Sequence, residues 1–181
     1  MSSLPDHAAI PIDFRVERIL NVTPGPNGFS LTERLIDRAY VKNYDSIEGP
    51  SQWLRFDTRN WGLLAAYLDQ VRVGGVVMAF DTPGVDLLDR RSDLAVLWDI
   101  RVRSDCRGQG IGTALFRAAE SWAVQRKCRE LKIETQNINV PACRFYQRQG
   151  CVLSAVNRFA YSTLPDEVQL IWVKPLPGES Q

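Results

Sequence analysis

Val102-Arg103-Ser104-Asp105-Cys106-Arg107-Gly108-Gln109-Gly110-Ile111-Gly112-Thr113 lies at mid-chain, where an alternating apolar segment runs into a glycine-rich turn and an amphipathic segment leaves it. Glycines let a backbone approach a ligand closely and turn its amides outward, and a helix N-terminus adds partial positive charge. Such a junction suits a pyrophosphate. Two familiar phosphate loops do not fit it. A P-loop needs a Lys before its final Ser or Thr, and Thr113 follows Gly112. A dinucleotide fold wants G-x-G-x-x-G early in a βαβ unit, whereas Gly108, Gly110 and Gly112 are spaced G-x-G-x-G behind a long, strand-rich first half.

The flanks of this stretch read outward as alternating elements. Upstream, Leu94 to Val102 predicts a strand with Val96, Trp98, Ile100 and Val102 on one face and Leu97, Asp99 and Arg101 on the other. Downstream, Ile111, Leu115, Ala118, Ala119 and Trp122 form the apolar stripe of a helix. Leu131, Ile133 and Thr135 alternate with Lys132, Glu134 and Gln136 in a further strand. Asn139 as N-cap, Pro141 in the first turn and Gly150 at the C-cap define a short helix. Cys151 to Val156 and Val168 to Val173 close the chain as strands.

In the first half, Phe14 to Leu20 predicts a strand. Leu31 to Val41 predicts a helix, with Ser30 and Glu33 completing a capping box. Ser51 to Asn60 reads as a weaker helix or loop, and Gly62 to Asp69 with Val71 to Phe80 as adjacent strands. The expectation is a mixed α/β fold. Its central sheet is mostly antiparallel, flanked by helices, and two parallel strands joined by a right-handed crossover part to admit an extended ligand.

Composition narrows the function. A chain of 181 residues defaults to one domain over 1–181, with tails expected over 1–10 and 176–181. A net charge of +1 argues against a nucleic-acid partner held by a broad basic surface. No apolar run approaches the ~20 residues of a membrane span, and the N-terminus lacks a signal-peptide pattern. Cys106, Cys128, Cys143 and Cys151 show no CxxC spacing and read as free thiols of a cytoplasmic protein. His7 is the sole histidine, so neither histidine catalysis nor a metal site is expected.

The pattern R-x-x-G-x-G, Arg107 to Gly112, resembles the acyl-CoA pyrophosphate loop of the GCN5-related N-acetyltransferase (GNAT) family. The segment Asn139 to Gly150 is similar to that family's second signature, N-x-x-A-x-x-F-Y-x-x-x-G. Within the family, Ile133 to Tyr146, Gly150 to Tyr161 and Glu167 to Lys174 resemble the streptothricin acetyltransferases. The resemblance covers roughly residues 94 to 175; the first half follows the family in its order of elements.

The resemblance implies acetyl-CoA as acetyl donor. Arg107, Gly108, Gln109, Gly110, Ile111 and Gly112 would hold its diphosphate, Asn139 its pantetheine, and the backbone of Ile100 and Val102 its thioester end. It makes Tyr146 the general acid at the coenzyme sulfur and Glu134 the general base. Asp99 is a second candidate base or a partner for a substrate ammonium. Each has a plainer alternative: a core aromatic for Tyr146, a solvated carboxylate for Glu134, a helix cap for Asn139, and a salt bridge to Arg101 for Asp99.

A base has work to do. An aliphatic amine with pKa ~10.4 is neutral in only about one molecule in two to three thousand at pH 7. A carboxylate in reach can accept that proton as nitrogen attacks the thioester. The implied acceptor is a small cationic amine, streptothricin foremost, with Trp53, Asp57, Trp61, Tyr67, Asp99 and Glu134 as candidates for an acidic, aromatic-lined pocket. A protein, peptide or polyamine acetyltransferase and a non-catalytic acyl-CoA-binding module are the alternatives. Self-association as a homodimer is left open.

Overall fold

A computed structural model describes residues 4–26 and 28–177. In chain order the elements are α1 (Leu4–Ala8), β1 (Phe14–Gly25), β2 (Gly28–Lys42), α2 (Asp45–Glu48), β3 (Gly62–Leu68), β4 (Val71–Phe80), β5 (Leu94–Val102), α3 (Ile111–Val124), β6 (Glu130–Gln136), α4 (Val140–Arg148), β7 (Val152–Asn157) and β8 (Gln169–Pro175). Short 3₁₀ turns at Pro50–Arg55 and Thr58–Asn60 occupy the segment read as a weak helix or loop. The class is mixed α/β, as expected. The chain divides into two compact units, 1–12 with 43–132 and 175–181, and 13–42 with 133–174, so each is assembled from separated stretches.

The first unit is built on the antiparallel strands β3-β4-β5. Asp69 and Gln70, with φ of 46° and 66°, make the two-residue turn between β3 and β4. Positive φ at both positions gives the backbone twist that a tight hairpin needs. Helix α3 packs on this sheet through Leu115, Phe116, Ala119, Trp122 and Ala123. The buried stripe is thus rotated from the expected one, taking in Phe116 and Ala123 and leaving Ala118 exposed.

Close approach of α3, and at Gly74 also of the β5 backbone, explains two glycines. A Cβ on Gly62 would lie 2.5 Å from the Trp122 ring, and one on Gly74 would lie 2.9 Å from the Arg101 carbonyl and 3.1 Å from Leu115 Cδ1. On the other side of the sheet, Trp53, Trp61, Val77, Ala79, Val85, Leu88 and Val96 form an apolar core with Phe56 and Trp98 packed against it.

The second unit holds the β1-β2 hairpin and the strands β6, β8 and β7, in that order, with β7 antiparallel to β8. Here the helix expected over Leu31 to Val41 is overturned: these residues are strand β2, paired with β1 from Phe14↔Lys42 to Gly25↔Gly28. Leu31, Leu35 and Ile36 carry a spacing that either structure accommodates. The ladder to β1, which runs along β2 with one register shift between Val16 and Arg18, decides it.

A correction also applies at the N-terminus. Residues 1–10 do not behave as a tail where the structure describes them: Leu4–Ala8 are helical, and Leu4, His7 and Ile10 are buried along one side. Leu176 is likewise buried, its amide donating to the Arg129 carbonyl at 2.8 Å. Residues 1–3 and 178–181 lie outside the described residues.

Candidate active site

The glycine loop belongs to the first unit. Gly108 and Gly110 have φ of 78° and 84°, and nothing lies within 4 Å of where a Cβ would stand on either. Both are thus in the left-handed region that favours glycine, beside open space. Gly110 is the N-cap of α3 and brings no side chain to the first-turn amides; Ala114 N–H closes the first helical bond to its carbonyl at 2.9 Å. Gly108, Gln109 and Gly110 are exposed, and Ile111 and Gly112 are half-buried.

The Arg107 Nε donates to the Val102 carbonyl at 3.0 Å, tying the loop back to the end of β5. Gln109 Nε2 donates to the Asp105 carbonyl at 3.3 Å. The Arg103 amide donates to the Val73 carbonyl at 2.8 Å. Amides of successive strand residues point to opposite edges, so that of Val102 turns away from β4, and Ile100 shares its direction. This loop fits the diphosphate of a coenzyme: exposed amides, a helix N-terminus and room for oxygen atoms.

Asp99, also in the first unit, is otherwise committed. Its Oδ1 lies 2.6 Å from His7 Nε2 and accepts from Arg101 Nε at 2.9 Å, while Oδ2 accepts from Arg101 Nη2 at 3.1 Å. Arg101 in turn holds both oxygens of Asp45 at 2.7 Å and donates to the Ile10 carbonyl at 3.2 Å. Burial alone would push the Asp99 carboxyl up, but the hydrogen bonds and charges of His7 and Arg101 outweigh it and hold the group below its ordinary value. The salt bridge to Arg101 is therefore present, and Asp99 belongs to an ionic cluster that joins α1, α2 and β5.

The expected aromatic pocket does not assemble from its first-unit members. Trp53 and Trp61 are core residues, and Trp61 Nε1 is satisfied by Thr82 Oγ1 at 2.9 Å. Asp57 is exposed and bound by Arg59, whose hydrogen bond is the largest of the effects drawing its carboxyl down to about 2. Tyr67 is exposed and lines an open cleft of about 350 Å³ with Asp6, Gln70, Arg72 and Arg103.

The second unit carries the other candidates. Asn139 caps α4, its Oδ1 accepting from the Ala142 amide at 3.2 Å. Tyr146, on α4, is buried with its ring 5.3 Å from that of Phe145 in an edge-on arrangement. Glu134 and Gln136 share one face of β6, and both meet the same hydroxyl, that of Tyr161. Tyr161 donates to Glu134 Oε1 at 2.6 Å and accepts from Gln136 Nε2 at 3.0 Å. Burial first, then the charge of Glu134, pushes the Tyr161 phenol well above its usual range, so it stays protonated.

Asp166 and Glu167 lie in the same unit, where Glu167 Oε1 accepts from Lys42 Nζ at 2.5 Å. After burial, both raise the Tyr40 phenol, and Glu167 also acts on Tyr161. Sequence reasoning missed Tyr161 as a site residue, because the β7–β8 loop brings it to Glu134 from 27 positions away. It also left His7 without a role; the spacing of Leu4, His7 and Ile10 was the available signal.

Among the described residues no cluster of three or more His, Cys, Asp or Glu could hold a metal ion, and no helix is long and apolar enough to cross a membrane.

The loop, the capped helix and the strand order define an acetyltransferase of the GNAT type. The chain belongs to that family: its model, described as the acetyltransferase (GNAT) family, matches residues 31–151. The chain is an acetyl-CoA-dependent N-acetyltransferase. It is 30% identical over 179 residues to the streptothricin acetyltransferase of Escherichia coli, covering 95% of this chain and 93% of that one. To streptothricin acetyltransferase A of Bacillus subtilis it is 27% identical, over 80% and 78%. Among solved structures, a nourseothricin acetyltransferase superposes with a TM-score of 0.75 at 25% identity, covering 97% and 94%. A Bacillus anthracis acetyltransferase in complex with acetyl coenzyme A shares the fold with a TM-score of 0.79 at 24% identity, covering 97% and 96%.

Proposed function

We propose that this chain acetylates a primary amine of a small cationic substrate, streptothricin foremost, by direct attack in a ternary complex. The observation that carries the reading is Glu134, a half-buried carboxylate whose Oε1 is held by the Tyr161 hydroxyl. A carboxylate held in this way suits a cation, and the named activity of the relatives supports the same substrate class.

Acetyl-CoA supplies an activated thioester. The amides of residues 107–112 grip its diphosphate, Asn139 contacts the pantetheine, and the amides of Ile100 and Val102 polarise the acetyl carbonyl. Glu134 takes the proton that the amine sheds as its nitrogen bonds to the carbonyl carbon, directly or through water. As the carbon–sulfur bond breaks, Tyr146 gives its proton to the thiolate. No acyl-enzyme is invoked. Burial pushes the Cys128 and Cys143 thiols up to about 11, which disfavours the thiolate at those two positions.

The test is release of free coenzyme thiol with a panel of streptothricin, spermidine, an aminoglycoside, free lysine and a peptide. Streptothricin is expected to give the highest kcat/KM. A peptide or spermidine turned over faster would overturn the substrate assignment, and no release with any amine would favour a binding module.

A further inference from the structure

We infer that Tyr161 is a positioning residue for Glu134, aiming one oxygen of its carboxylate at the acceptor amine while holding the other; this rests on Glu134 as the base. The phenol oxygen accepts from Gln136 Nε2 at 3.0 Å, so its own hydrogen is left to point at Glu134 Oε1, 2.6 Å away. That separation belongs to a charge-assisted O–H···O⁻ bond, the shorter and stronger kind. With Oε1 occupied, Oε2 is the oxygen that takes up the amine proton. Because burial keeps Tyr161 protonated, it donates throughout the working pH range instead of competing for that proton.

Tyr161 is held in place by more than its own loop. Asn137, buried just after β6, accepts through Oδ1 from the Val168 amide at 2.9 Å, and its own amide donates to the Val168 carbonyl at 2.9 Å. Its Nδ2 and carbonyl engage the Leu20 carbonyl and amide of β1 at 3.2 and 2.9 Å. The Glu167 amide donates to the Leu164 carbonyl at 3.0 Å, and the Leu164 amide to that of Tyr161 at 3.3 Å. The β7–β8 loop is thus fastened three residues beyond Glu134, in the turn that follows β6. A rigidly anchored donor of this sort is what a base needs to keep one geometry through the reaction.

A double-mutant cycle tests this, using the panel amine turned over fastest. Tyr161→Phe keeps the ring and removes the hydroxyl; kcat is expected to fall about tenfold, with KM for acetyl-CoA unchanged. In a Glu134→Gln background the same change is expected to cost nothing further, because there is no carboxylate left to aim. Gln136→Leu, which frees the phenol without touching it, is expected to lower kcat less than Tyr161→Phe. It carries the test if that variant does not fold. Equal fold-losses from Tyr161→Phe in both backgrounds would overturn the positioning role while leaving Glu134 as base. A fully active Glu134→Gln would instead remove the base, and this inference with it.

Discussion

Asp99→Asn separates a structural ion from a chemical one. The wild-type carboxylate is buried and takes three hydrogen bonds, at 2.6 Å from His7 and at 2.9 and 3.1 Å from Arg101. An amide of the same shape removes the charge and turns a donor toward a donor. Breaking a buried ion pair by removing one partner costs about 3–5 kcal/mol. The lower end applies, because Arg101 keeps both oxygens of Asp45 at 2.7 Å. A loss of ~3 kcal/mol is a large share of the ~5–15 kcal/mol that a folded chain holds. At ~2–4 °C per kcal/mol for a chain of this size, the melting temperature should drop ~6–12 °C. Circular dichroism melts give that number, and thiol release measured well below the transition gives kcat of the folded fraction, which should stay near wild type. A melting temperature within ~2 °C of wild type together with a ~100-fold loss of kcat would refute this structural role and place Asp99 in the chemistry.

The pH dependence of stability follows from the same group. Its folded pKa lies below the unfolded value near ~3.9, so its contribution is whole above that pH and is lost as pH falls through the folded value; the urea midpoint should drop on acidification below about pH 4, less steeply in Asp99→Asn. Tyr146→Phe should cut kcat about 100-fold with little change in acetyl-CoA affinity, measured by calorimetry; unchanged turnover would take Tyr146 out of the reaction. Gly110→Ala forces an L-residue to φ of 84° beside the loop's open space. It should cost about 1 kcal/mol of stability and raise the acetyl-CoA Kd about tenfold, while kcat at saturation holds. Cys128 and Cys143, both buried with thiols pushed up to about 11, should resist a disulfide reagent at pH 8 in the native protein and react in urea; rapid native labelling at either, read by mass spectrometry, would contradict their burial.

What could be read from the sequence is what local chemistry decides. The loop at Gly108 and Gly110 and the cap at Asn139 depend on residues within four positions, so φ, helix start and hydrogen-bond partner follow from the string itself. The strand β5 was legible with its ends in place for the same reason. Strand β2 was not. Leu31, Leu35 and Ile36 satisfy a helical spacing, and only the ladder to β1 chooses otherwise. The site divides along the same line. Glu134 and Tyr146 sit in segments with a family signature, but what Glu134 touches is set by Tyr161, brought to it by a loop anchored on Asn137. Asp99 shows the converse: its neighbour Arg101 was visible two residues away, yet His7, 92 positions distant, is what closes the cluster around it. A carboxylate's residue type and strand face are therefore insufficient to make it a base. The partners that occupy its oxygens decide, and at Asp99 both oxygens are taken by cationic or donor groups of α1 and β5, whereas at Glu134 the group that holds Oε1 is a neutral phenol.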